Sequence, residues 1–295
     1  TNVVLKREPV MNPIFSRTLK ALCAVTAAVM LSACGGASST IDPFHPTRVV
    51  GLGDGYNDET ATVDDATTTR TVVGQVAAYF GQSNVVSKGS NSARISDLAG
   101  QINAVVTTNG GFSAGDLVVI TVGTFDVKTP GVDPVAEAQT LVTQVQSLKN
   151  AGVKHILIMP VLDVSRTPWG RANSNLVSTT ATNTFNTAVL SALSSAFGGQ
   201  SPNTVIYANA TGVTSLFLTA TSTTTFSPFT DTGYNGTALG TTPACGSTTL
   251  LAGCASGSAN ASYSTMLFAN GIHLTPAGNR WVAGYLYNAT HQGWR

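Results

Sequence analysis

Charge is what this sequence has least of. Only 10% of its 295 residues are Asp, Glu, Lys or Arg, and the formal net charge is +1. No basic patch or stripe interrupts this neutrality, which argues against nucleic acid as a partner. Cysteine is nearly as scarce, with four in the chain, and none stands at metal-ligand spacing from a histidine or a further cysteine. Glu59, Asp64 and Asp65 lie in a polar stretch and assemble no ligand set with other residues, so neither a metal nor another cofactor is expected. There is no internal repeat, and no long linker follows Gly35-Gly36-Ala37-Ser38-Ser39-Thr40. One large domain is therefore expected rather than two small ones. The vocabulary that remains, Thr, Ser, Asn, Ala and Gly, suits an exported protein.

The N-terminal segment is laid out as an export signal and not as a packed element. Met11 reads as the start, Arg17 and Lys20 as the positive region, and Ala21 to Leu31 as an apolar stretch too short to span a bilayer. Leu31-Ser32-Ala33-Cys34 then resembles a bacterial lipobox. That resemblance implies lipidation of Cys34, a membrane tether and a place in the cell envelope. Gly35 after the cysteine leans toward the outer membrane. An ordinary cleaved secretory signal is the alternative. The expected division is residues 1–34 as upstream residues and signal, 35–46 as linker and 47–295 as the domain. Cys23 lies in the apolar stretch, which leaves Cys245 and Cys254 in the mature chain. An oxidising compartment permits a disulfide between them, stapling a loop with little apolar content.

Along residues 47–295, buried-strand runs alternate with helical patterns, the sequence form of a mostly parallel sheet between helix layers. Strands are predicted at residues 48–52, 84–87, 116–122, 154–160 and 204–207. Helices are predicted at 71–80, 96–103, 132–151 and 180–197, with a closing helix from Pro276 to about Asn288. Gly152 is placed as the stop of the long helix, and Thr275 with Pro276 as N-cap and first position of the closing one.

Five segments on this frame resemble the SGNH, or GDSL-type, lipases and esterases. The first block of that family, G-D-S-L-S-D, stands here as Gly53-Asp54-Gly55-Tyr56-Asn57-Asp58. The strand followed by G-x-N-D appears as Val119 to Val122 and then Gly123-Thr124-Phe125-Asp126. Met159-Pro160 with Thr167-Pro168, and Phe185-Asn186-Thr187-Ala188-Val189, follow in order. Leu267-Phe268-Ala269-Asn270-Gly271-Ile272-His273-Leu274-Thr275 matches the last block. The resemblance implies a three-layer α/β/α, flavodoxin-like fold.

It also implies a chemistry that this chain does not carry intact. Ester hydrolysis by such a site needs a serine nucleophile, a histidine to take its proton, an aspartate to orient that histidine, and donors for the oxyanion. Here Gly55 holds the nucleophile position, Phe125 replaces the oxyanion-hole asparagine, and Asn270 replaces the triad acid. His273 is retained. The second oxyanion position falls on Gly89, or on Ser92 if Ala93-Arg94 is aligned instead.

In serine proteases, loss of the nucleophile costs about 10⁶ in rate, an oxyanion donor about 10²–10³ and the aspartate about 10⁴, and these do not multiply. Three changes where one suffices point to drift after selection for hydrolysis was lost. The competing reading is a carboxylic ester hydrolase with a rearranged site, in which His273 activates water or a displaced hydroxyl. Tyr56, Ser90, Ser92 and Thr124 are the candidates. Asp54 is expected to be exposed near the strand end, holding its loop through an Asx-type turn or orienting a water. Surface or turn roles are expected for His45, His155 and His291. A small-molecule ester, lipid or glycan is the expected ligand, in a pocket walled by residues 222–264.

Overall fold

The computed structural model describes residues 44–59, 71–198, 204–219 and 267–294. All their elements belong to the unit Pro43–Arg295. Strands β1 (Arg48–Gly53), β2 (Val85–Ser87), β3 (Asp116–Thr121), β4 (His155–Met159) and β5 (Val205–Tyr207) form one sheet in the order β2-β1-β3-β4-β5, with every pairing parallel. The helices are α1 (Val72–Tyr79), α2 (Leu98–Thr108), α3 (Thr124–Val127), α4 (Pro134–Asn150), α5 (Pro168–Ala172), α6 (Thr179–Phe197), α7 (Ala210–Thr219) and α8 (Pro276–Gly293). Short 3-10 turns stand at Ile95–Asp97 and Val164–Arg166.

The period-2 alternation of the strands explains the layers. Val49, Leu117, Val119, Leu157 and Met159 pack with residues of α1 and α8, while Val50, Leu52, Val118, Ile120, Ile156 and Ile158 pack with residues of α2, α4 and α6. Both faces of the sheet are thus covered, which is why β3 reads as an unbroken apolar run. A fully buried Val, Leu or Ile is worth roughly 1.5–3 kcal/mol, so this double lining is the main source of stability.

The sequence reading and the structure differ in places. The stretch expected as helix from Ser96 opens as the 3-10 turn at Ile95 and runs on to Thr108. The closing helix extends past Asn288 to Gly293, so His291 lies in its last turn. The short helices α3, α5 and α7 were not legible as apolar periodicity. His155 begins β4 as expected but is half-buried, its ring stacked on Phe44 at 3.5 Å between centroids, so it has no surface role. Cys34, Cys245, Cys254 and the loop 222–264 lie outside the described residues.

Candidate functional site

The first loop is shaped by two glycines and an asparagine. Gly53 ends β1 with φ of 112°, and a Cβ there would strike the Thr121 carbonyl, so β1 and β3 approach here at backbone distance. Gln101 from α2 clamps both polar groups of Gly53, accepting from its amide at 2.6 Å and donating to its carbonyl at 2.9 Å. The chain then turns, and buried Asn57 donates to the carbonyls of Leu52 and Val119 while accepting from Val73 N–H at the start of α1. Gly89 presses on this turn from the β2 side. A Cβ at Gly89 would stand 2.6 Å from the Asn57 carbonyl carbon, and its own amide contacts Ser87 Oγ at 3.3 Å.

Opposite Gly55 stands His273. A side chain at position 55 would run into His273 Nε2, 2.7 Å from its Cδ2 and 3.0 Å from the Asn91 carbonyl oxygen. The imidazole therefore occupies the space a nucleophile's side chain would need. The ring is fully buried, with Tyr56 at 5.5 Å and Phe125 at 6.0 Å between centroids. Phe125, buried at the start of α3, thus supplies a ring where the family pattern has an amide donor.

Asn270 decides the protonation of that imidazole. Its Oδ1 accepts from the backbone amides of Ile272 at 2.9 Å and His273 at 2.7 Å, and His273 Nδ1 lies 3.1 Å from Nδ2 and 3.2 Å from Oδ1. Two amides fill the two lone pairs of Oδ1, so Nδ2–H is the group left to meet Nδ1. Nδ1 must then be the acceptor, and the proton sits on Nε2. An aspartate would impose the opposite tautomer, since its second oxygen could accept from Nδ1–H. Burial pushes the His273 pKa down to about 3, with the Lys128 charge adding to the fall and a backbone contact with Asn91 opposing it.

The candidate hydroxyls do not serve this ring. Tyr56 donates to the Ile272 carbonyl at 3.0 Å, Ser90 and Ser92 are exposed, and Nε2 has no hydrogen-bonded side chain beside it. Thr124 is buried at the first position of α3.

Asp54 is buried, against the expectation of exposure. The loop folds it under β3, where one oxygen accepts from Tyr56 N–H at 3.3 Å in an Asx-type contact. Desolvation pushes its pKa up to about 7, with the Thr121 and Thr124 hydroxyls and the Tyr56 amide partly opposing. Asp126 is also raised to about 7, chiefly by burial and then by Glu137, while the Ile95 amide favours its ionised form. Among the described residues no three His, Cys, Asp or Glu side chains converge as a metal would require.

Lys128, Trp169 and Asn91 were not picked out from the sequence. Lys128 follows Phe125 by three positions and so shares its helix face, a relation visible only once α3 is recognised. Trp169, on α5, and Asn91, in the turn after β2, reach the site from distant segments and leave no local signal.

No protein-family model matches this sequence, and no curated protein matches it. Solved structures do. A protein assigned as a GDSL-like lipase from Parabacteroides merdae superposes with a TM-score of 0.50 at 11% identity, over 84% of this chain and 99% of that one. A lipase/acylhydrolase from Enterococcus faecalis gives 0.48 at 14% identity, over 82% and 94%. An acetylxylan esterase from Geobacillus stearothermophilus gives 0.46 at 14%, over 85% and 98%. The fold is that of the SGNH hydrolases, a three-layer α/β/α sandwich on a parallel sheet. At these identities the likeness extends to the fold and not to the chemistry.

Proposed function

We propose that this chain is a non-hydrolytic relative of the SGNH esterases, which holds a ligand or an envelope partner in the inherited cleft. The observation that carries the reading is the contact between Gly55 and His273: the imidazole fills the nucleophile's space and, with Asn270 behind it, presents a proton where a general base presents a lone pair. The buried ring at Phe125 adds hydrocarbon where an oxyanion needs donors. Export and tethering through Cys34 belong to the same proposal and rest on the lipobox-like sequence. In a membrane fraction, Cys34→Ala should release the protein to the soluble phase.

The test of chemistry is hydrolysis of p-nitrophenyl acetate and butyrate by the purified protein beside His273→Ala. Both should match the uncatalysed rate. Turnover that disappears with the histidine would establish instead the active ester hydrolase with a rearranged nucleophile.

A further inference from the structure

A half-buried cation, Lys128, stands beside the Phe125 ring of this site. Lys128 caps the carboxyl end of α3, and its Nζ lies 4.7 Å from the centre of the Phe125 ring and 4.2 Å from that of Trp169. Phe125 faces the His273 ring, and the backbone N–H of Trp169 donates to the Gly271 carbonyl at 2.7 Å, so ammonium and imidazole belong to one assembly. The acid on the same helix, Asp126, is turned inward toward the Ile95 amide. Neither the Arg48–Asp116 nor the Arg166–Asp163 ion pair involves Lys128.

Burial lowers the Lys128 pKa to about 8, and ring faces offset only part of that desolvation. A single ammonium between two rings offers one positive charge and an apolar flank. The neutral imidazole adds no second charge. A phosphate dianion calls for several donors, whereas a carboxylate with a hydrocarbon body matches both features.

We propose that Lys128, Phe125 and Trp169 form a subsite for a monocarboxylic acid with an apolar body, its carboxylate on the ammonium and its hydrocarbon against the rings. This rests on the reading of the cleft as non-hydrolytic: the species held is an acid rather than an ester, and no acyl transfer follows.

Calorimetric titration of the full chain with sodium octanoate tests it, with octan-1-ol and inorganic phosphate as comparison probes. Saturable octanoate binding should weaken about tenfold or more in Lys128→Met and recover in Lys128→Arg. Octanol and phosphate should bind more weakly. Binding to the wild-type protein should fade as pH rises through about 8, beyond whatever loss the ionisation of Asp54 and Asp126 near 7 brings, and Lys128→Arg should abolish the upper step. The titration on wild-type protein decides the matter even if Lys128→Met does not fold. No octanoate binding, equal binding by a folded Lys128→Met, or phosphate binding as tightly would overturn the subsite. Ester turnover in the same preparation would overturn the non-hydrolytic reading separately, whatever octanoate does.

Discussion

Substituting Gly55 by alanine isolates the central contact of the site from any question of chemistry. The backbone at Gly55 is not among the positive-φ positions, so alanine meets no conformational penalty there. On backbone grounds alone, Gly→Ala at a compatible site stabilises by about 0.4–1 kcal/mol through the unfolded chain. Against this stands the added Cβ, which meets His273 Nε2 and Cδ2 and the Asn91 carbonyl. The histidine cannot easily withdraw, being held at Nδ1 by Asn270 and packed between Tyr56 and Phe125. Forcing an extra carbon into such packing costs about 1–3 kcal/mol. The steric term wins, leaving Gly55→Ala about 1–2 kcal/mol less stable, a fall in Tm of roughly 2–8 °C for a domain of this size. Calorimetry or urea unfolding reads it. Adding His273→Ala should recover stability, with a favourable coupling of about 1 kcal/mol or more in the double-mutant cycle. A Gly55→Ala protein as stable as the parent, with no coupling, would refute the claim that the imidazole fills this space.

Stability against pH carries two opposed terms. His273, lowered to about 3 in the fold against 6.5, binds its proton more readily when unfolded, so this term raises stability as pH climbs from about 3 to 6.5. Asp54 and Asp126, raised to about 7 against 3.8, keep their protons in the fold, so their terms lower stability as pH climbs from about 4 to 7. In urea titrations His273→Gln should steepen the loss over pH 4–6.5, while Asp54→Asn should flatten it; identical profiles would contradict the assigned burial. Thr275 accepts from Gly278 N–H at 3.1 Å as the N-cap of α8, so Thr275→Ala should cost about 1 kcal/mol by the same measurement.

The frame of the molecule was legible because its signals are local. The run Leu117 to Ile120 is apolar on both faces, and the Thr275-Pro276 pair starts a helix in any context. That Gly55, Phe125 and Asn270 would gather around His273 could likewise be read from the order of blocks. What the sequence withheld was set by packing between distant segments. Asp54 sits in a polar string, and nothing local says that Asn57 and Gln101 will draw its loop under the sheet. The proton on Nε2 depends on how many amides Asn270 accepts, and the place of Lys128 depends on Trp169, forty-one positions away.

Gln101 holds Gly53 by both of its backbone groups, closing a two-bond ring of the kind that ordinarily joins neighbouring strands. The end of β1 is therefore bolted to α2. Residues beyond that clamp, Gly55 among them, can vary without loosening the strand end on which the first loop is built.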